Sequence, residues 1–331
     1  MIISRAPLRI PLGGGGTDFP SYYTEHGGYI LGFALNRYVK VVVHSTEDRK
    51  IRLKYSKTEE CDLDRPDDLE NRVAAEALKW FGFDNSEKGI EVVTFSDVPE
   101  CSGLGGSSAF CVALVRALAH KKGIKMNPYE VFAAAWEIER KRAGESGGMQ
   151  DQFFASLGGA WRLHLCNGKD TFDYDQVDDL VAPLLPHLHL VYAGGRNYIS
   201  HSSVIAKRQD LFTSESDRAM VQNLGQVKAH GLEIEAALRD GSLDTVGDVF
   251  NEHWETKKRR DSCVSNSGVD QLHKTICNGS GAVGAKLIGL GGGGYFLCYS
   301  KEGLDHIPAL NVGIDSRGGV VIFDDEAETG G

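Results

Sequence analysis

The stretch Pro99-Glu100-Cys101-Ser102-Gly103-Leu104-Gly105-Gly106-Ser107-Ser108-Ala109 separates two segments of opposite pattern. Before it, Gly89-Ile90-Glu91-Val92-Val93-Thr94-Phe95 alternates as a half-buried strand does. After it, Ala109 to Lys122 is apolar on nearly every face, which predicts a helix buried all round. The glycines and serines between them therefore form a loop at a helix N-terminus. Glycine frees backbone N–H groups to converge on one anion, and the helix end adds partial positive charge. The hydroxyls of Ser107 and Ser108 can serve a phosphate oxygen or Mg²⁺, a hard ion that prefers oxygen ligands. On these residues alone, a phosphate cradle and a capped helix after a turn are equal readings. Two common phosphate sites are excluded: no Gly-Lys pair is followed by Ser or Thr, and neither His-Arg-Asp nor Asp-Phe-Gly occurs.

The rest of the chain frames that loop. With 331 residues, 41% hydrophobic and 25% charged, it has the composition of a globular protein too long for one core. Two domains are expected, residues 1–185 and 186–331. The net charge of −10 gives no basic footprint for nucleic acid, and Lys257-Lys258-Arg259-Arg260 reads as a solvated helix end. Seven cysteines without a CxxC pair suggest reduced thiols. No apolar run reaches membrane-span length and Met1 to Pro7 lacks a secretion-signal layout, so no membrane partner and a cytoplasmic location are expected. Strands are predicted over 2–12, 29–35, 39–44, 51–55 and 89–95, near 159–166 and 187–193, and at 295–299. Helices are predicted over 69–81, 109–122, 128–142, 215–239, 242–258 and 267–278. This mixture without a regular βαβ period predicts an α+β fold.

Several side chains are candidates for chemistry near the loop. Glu137 and Glu139, two apart late in a helix, point to different faces, so only one can serve a Mg²⁺ ion. Asp151 lies between a glycine loop and an apolar helix turn, where a carboxylate can accept a hydroxyl proton or simply cap the helix. Arg9 is a charge inside an apolar strand, and such charges are paired or functional. It is expected to pair with Asp151 and to stabilise a migrating phosphoryl group. The loop Gly13 to Asp18 lets a ligand approach backbone at Gly16 and Thr17, with Asp18 accepting hydroxyl hydrogen bonds; a turn aspartate is the alternative. Gly291 to Gly294, including Gly292 and Gly293, is a third place for close backbone approach.

Pro99-x-x-x-Gly103-Leu104-Gly105-Gly106-Ser107-Ser108-Ala109 resembles the phosphate-binding motif of the GHMP kinases (galactokinase, homoserine kinase, mevalonate kinase, phosphomevalonate kinase). Arg5-Ala6-Pro7-Leu8-Arg9 resembles their first motif and Lys286-Leu287-Ile288-Gly289-Leu290-Gly291-Gly292-Gly293-Gly294 their third, in the family's order. Within the superfamily, Gly14-Gly15-Gly16-Thr17-Asp18-Phe19-Pro20, Gln150-Asp151-Gln152 and His253-Trp254-Glu255-Thr256-Lys257-Lys258 are most similar to the D-glycero-D-manno-heptose 7-phosphate kinases. The resemblance implies a ribosomal-protein-S5-like N-terminal domain, a ferredoxin-like C-terminal domain, and ATP and sugar between them. It implies ATP phosphates on Gly103 to Ala109, Mg²⁺ on Ser108 and Glu139, an acid/base role for Asp151, phosphate orientation by Arg9 and sugar contact at Asp18. The implied reaction phosphorylates the anomeric hydroxyl of heptose 7-phosphate, giving the 1,7-bisphosphate for nucleotide-heptose and surface polysaccharide synthesis. Fucose or another hexose is the alternative acceptor, and a non-catalytic sugar sensor the alternative class. A homodimer is compatible with all of these. A sugar phosphate would need a distal cationic pocket, for which Arg196, Lys207, Arg208, Lys257 and Lys258 are the unranked candidates. Gly106 stands where these kinases often carry serine, and Leu290 where they carry alanine or glycine.

Overall fold

The computed structural model describes residues 1–84, 86, 88–166, 168, 172–194, 206–209 and 217–325. Its first sheet grows from β1 (Ile2–Gly13), followed by α1 (Pro20–His26) and β2 (Gly28–Thr46), whose apolar side chains are buried on pairing. The segments 29–35 and 39–44 belong to this one strand. Pro7 has no N–H to complete the ladder, and the register with β2 slips beside it, so Pro7 faces Tyr38 and Leu8 faces Leu35. Next come β3 (Lys50–Lys54), β4 (Thr58–Asp62), α2 (Arg72–Trp80) and β5 (Gly89–Ser96). Then follow α3 (Gly106–Lys121), α4 (Pro128–Trp136), α5 (Gln150–Leu157), β6 (Ala160–Leu165), β7 (Phe172–Gln176) and α6 (Asp178–Val181). Asn127 and Pro128 start α4 as their types suggest: Glu130 N–H donates to Asn127 Oδ1 at 2.9 Å, and Asn127 N–H to Glu130 Oε2 at 2.7 Å. That reciprocal cap is worth about 1 kcal/mol.

The second sheet starts with β8 (Leu188–Tyr192). It is completed, after α7 (Arg218–Arg239), α8 (Leu243–Lys258) and α9 (Ser267–Gly279), by β9 (Gly284–Leu287), β10 (Tyr295–Tyr299) and β11 (Leu310–Asn311). The last strand, β12 (Val320–Asp324), returns to the first sheet and pairs antiparallel with β1. The orders are β12-β1-β2-β5-β3-β4, with β6 on β2 and β7 on β6, and β11-β8-β10-β9. All pairs are antiparallel except β3 with β5. The architecture is α+β, as the pattern predicted. The strands β4, β7, β9, β11 and β12 were not expected: β4, β7 and β11 are largely exposed and polar, and β9 and β12 are short runs next to glycines.

Helix α3 lies against β1 and β2, and Ala109 to Val115 are all buried on it, so the apolar run is the centre of the N-terminal core. Helix α7 packs on α8 and also crosses β1 and β2, joining the two halves. The crossing is close: a Cβ on Gly13 would lie 2.4 Å from Gly231 Cα, and one on Gly231 would lie 2.8 Å from the Tyr29 ring. Only glycine fits on either side. The cleft between the halves holds the candidate site.

Candidate active site

The loop preceding α3 turns through Gly103 and Gly105, at φ of 80° and 82°, the left-handed region that glycine occupies without strain. A Cβ on Gly105 would lie 3.2 Å from Arg9 Cγ and 3.3 Å from Asp151 Oδ2, so the loop rests directly on that pair. Ser102, Gly103, Gly105, Gly106 and Ser107 line a cavity of about 760 Å³. Leu104, Ser108 and Ala109 point into the core instead. Leu104 fixes the loop through its carbonyl, which accepts the Arg9 backbone N–H at 3.0 Å. Gly106 is unconstrained: a Cβ there meets nothing within 4 Å.

The expected pairing of Arg9 with Asp151 is present. Arg9 Nε donates to Asp151 Oδ1 at 2.7 Å and Nη2 to Oδ2 at 2.8 Å, a two-pronged contact that fixes the carboxylate plane. Its Nη1 donates to Gly103 O at 2.6 Å, so one guanidinium ties the carboxylate to the phosphate loop. Arg9 comes from the middle of β1 and Asp151 from the first turn of α5, both on elements packed in the core.

After α4 the helix widens into a π-turn over Glu137–Arg142, and this turns the two glutamates apart. Glu137 faces outward and pairs with Lys141 at 2.9 Å. Glu139 is 1% exposed; its Oε1 accepts from Ser107 Oγ at 2.9 Å and its Oε2 from Gln152 Nε2 at 2.6 Å. The metal expectation for Ser108 is thereby corrected. Adjacent helix positions diverge, and it is Ser107 that faces Glu139 and the cavity while Ser108 is buried. One buried carboxylate and one hydroxyl at the cavity wall fit Mg²⁺, which takes one or two carboxylates and completes its shell with water and phosphate oxygens.

Three further expectations on the acceptor side are revised. Asp18 is fully buried, and both of its oxygens are engaged, by the Gln150 backbone N–H at 2.9 Å and by Gln150 Nε2 at 3.0 Å. Burial raises its pKa against the lowering by that backbone bond. Asp18 thus clamps the start of α5, and so the neighbouring Asp151, instead of presenting oxygens to the cleft. Thr17 is also fully buried; its hydroxyl lies 2.8 Å from Gly14 O and 2.9 Å from Tyr29 O, stapling the loop to β2. Gly16 does line the cavity. In the third glycine run, Gly289 and Leu290 line it, whereas Gly292 N–H donates to Val264 O at 2.7 Å. Gly293 lies beyond it, ahead of Gly294, where a Cβ would sit 2.3 Å from Ser102 O. Gly292 and Gly294 therefore belong to a seam of backbone packing behind the phosphate loop, and Gly293 lies between them. Arg196 lies outside the described residues.

The basic run is not a solvated helix end. Lys257 is 5% exposed and donates to the Leu287 and Gly289 carbonyls, and it lines the cavity together with Arg260. Lys258 and Arg259 take the outer face, Lys258 pairing with Glu255 at 2.6 Å. Arg208 pairs with Asp261 at 3.0 Å, and Lys207 is exposed. His253 and Lys286, quoted above only as members of motifs and given no role, also line the cavity, as does Arg140, which the sequence did not single out. The spacing 253, 257, 260 sets three of these side chains on one helical face, a signal that composition alone obscures. Burial, then the charges of Lys286 and Lys257, holds His253 well below the usual histidine range. Burial also pushes the Lys286 ammonium down to about 7.

A glycine–serine loop that opens a buried helix, wired through an arginine to a carboxylate, defines a phosphotransferase for small acceptors. Residues 71–159 match the GHMP kinases N-terminal domain, the segment that carries the glycine–serine loop. It is 26% identical to a D-glycero-alpha-D-manno-heptose 7-phosphate kinase of Campylobacter jejuni, over 90% of this chain and 89% of that one. It is also 26% identical to an L-fucokinase/L-fucose-1-P guanylyltransferase of Bacteroides fragilis, over 91% of this chain but 35% of that one. The fold is shared with a crystal structure of a D-glycero-D-manno-heptose 1-phosphate kinase from Bacteroides thetaiotaomicron. That likeness has a TM-score of 0.73 and 21% identity and covers 98% of this chain and 99% of the other.

Proposed function

We propose that this GHMP sugar kinase transfers the γ-phosphoryl group of ATP to the anomeric hydroxyl of a sugar, and that D-glycero-D-manno-heptose 7-phosphate is its acceptor. The observation that carries the reading is the Arg9–Asp151 pair resting on the Gly103–Ser107 loop in one cleft. The loop's N–H groups and the N-terminus of α3 hold the nucleotide phosphates. The acceptor oxygen attacks the γ-phosphorus, its proton passes to a carboxylate oxygen of Asp151, and the bond to the β–γ bridging oxygen breaks to release ADP. Arg9 keeps Asp151 oriented and adds positive charge next to the transferring group. Ser107 and Glu139 would hold Mg²⁺, which when bound offsets phosphate charge. Ser107 and Glu139 also fix each other, so the loop enters the reaction already shaped.

The fucokinase relative supports a second acceptor, an unphosphorylated six-carbon sugar. A sensor without catalysis is disfavoured by the retention of Asp151, Ser107 and Glu139 in one site. ADP release from ATP and Mg²⁺ with heptose 7-phosphate, the bare heptose, L-fucose and D-galactose separates the readings. The heptose phosphate should give the highest kcat/KM, with phosphorus NMR placing the new phosphate on C1. Preference for fucose would replace the acceptor, and no ADP with any sugar would remove the catalytic reading.

A further inference from the structure

The basic end of the cleft takes no part in the transfer chemistry above. Arg260, just beyond α8, donates from Nε to Asn223 Oδ1 at 3.1 Å and from Nη1 to Gln209 Oε1 at 2.9 Å, both neutral amides. Its Nη2 is buried without a hydrogen-bond partner among the described residues. Lys286, 2% exposed on β9, donates to the Leu12 carbonyl and lies 4.9 Å from the centre of the Phe250 ring. Among the described residues, neither cation has a carboxylate in ion-pair range. Both ring nitrogens of His253 are likewise buried, with no partner among the described residues. These three residues line the cavity that also contains Arg9 and Asp151. Gly16 keeps the space beside the guanidinium open, since a Cβ there would lie 3.2 Å from Arg260 Nη1.

A guanidinium and an ammonium buried without counter-charge are strongly unfavourable, unless a ligand supplies the missing anion. The unpartnered Arg260 Nη2 and His253 ring and the Lys286 ammonium without counter-charge come from a helix end, a helix face and a strand, and all three residues line one cavity. We propose that this end of the cleft is a subsite for a phosphomonoester carried by the acceptor, remote from the hydroxyl that is phosphorylated. Arg260 is its main contact through Nη2, with Lys286 and His253 completing it. A phosphate dianion draws the proton back onto Lys286 and meets Arg260 and Lys257 on the same wall, whereas a single-charged carboxylate balances less of that field. The ATP phosphates are served separately by the loop at 102–107. This assignment rests on the sugar-kinase reading and names the feature that would select a sugar phosphate over a bare sugar.

Isothermal titration of the purified chain with D-glycero-D-manno-heptose 7-phosphate and with the unphosphorylated heptose tests it. The phosphate should bind roughly 30-fold tighter or more, the range for a desolvated charge contact. Arg260→Gln should reduce that ratio at least about tenfold, and Arg260→Lys should recover part of it. Equal affinity for the two sugars in the unaltered chain, or a ratio unchanged by Arg260→Gln, overturns the subsite. Should that variant fail to fold, as circular dichroism would show, inorganic phosphate is titrated against the unaltered chain as competitor. Competition with heptose 7-phosphate at saturating ATP supports the subsite; competition with ATP alone overturns it. Failure of the kinase reading registers separately, as absence of ADP with every sugar.

Discussion

At the Arg9 end of the cleft the charges are satisfied by the protein itself, whereas at the Arg260 end they are not. Arg9 spends its donors on Asp151 and Gly103, and Glu139 is held by Ser107 and Gln152. Among the described residues, the hydrogen bonds of Arg260 and Lys286 go to amide and carbonyl oxygens, and Nη2 of Arg260 has no partner. The first arrangement is preorganised for a reaction whose charge develops and vanishes within the site. The second suits recognition, because its electrostatics close only when an anion arrives.

The sharpest way to break this contrast is at Asp151. Asp151→Asn keeps the shape but cannot take a proton, so kcat should fall by about 10²–10⁴-fold with the KM for ATP nearly unchanged. Steady-state assays check this, and an unaltered kcat would move the chemistry elsewhere. Glu139→Gln, at the same end, should raise the Mg²⁺ concentration needed for half-maximal rate by about 10–100-fold. A Mg²⁺ titration showing no shift would separate Glu139 from the metal. At the other end the prediction concerns stability. Lys286 is neutral in the folded chain above about 7, against 10.5 for a free lysine, so between these values unfolding takes up a proton. Stability without ligand should therefore rise with pH from about 7 upward, by at most about 1.4 kcal/mol per pH unit from this group. Lys286→Met should flatten that rise, measured as the urea midpoint between pH 7 and pH 9; an unchanged slope would place the dependence on other groups. The smallest effect is expected at Gly106→Ser. The position is open and helical, so removing glycine should stabilise by about 0.5 kcal/mol, read as a small rise in Tm. A fall in Tm would mean that the loop has less room than its geometry indicates.

Much of the reactive end is legible in the chain because its signals are local. Glycine punctuation marks the loop, an all-apolar run marks α3, and a lone arginine within apolar β1 marks a partner to be found. What escapes sequence is rotational. Ser107 and Ser108 are adjacent and chemically identical, and only the phase of α3 decides which meets Glu139. The π-turn over Glu137–Arg142 settles the glutamates in the same way. The cationic end was masked by composition, since Lys257 to Arg260 has the look of a solubilising run until α8 buries one face of it. Asp18 misleads for the opposite reason: a turn aspartate beside glycines suggests a ligand, but its carboxylate is enclosed by Gln150 and by the backbone at Gly148, where a Cβ would lie 2.0 Å from Asp18 Oδ2. The edge strands β4 and β7 were invisible because pairing without burial leaves no hydrophobic period.

The contact of Gly13 with Gly231 gives the cleft a gauge. Where two backbones touch with no side chain between them, the spacing between the halves cannot be trimmed further, and a single added methyl must wedge it wider. The wedge would act at a distance, lifting α7 together with α8, and so carrying Lys257 and Arg260 away from the wall that holds Asp151. The reach between the two ends of the site is thus a length set by absent atoms. It can be altered far from any residue that a substrate touches.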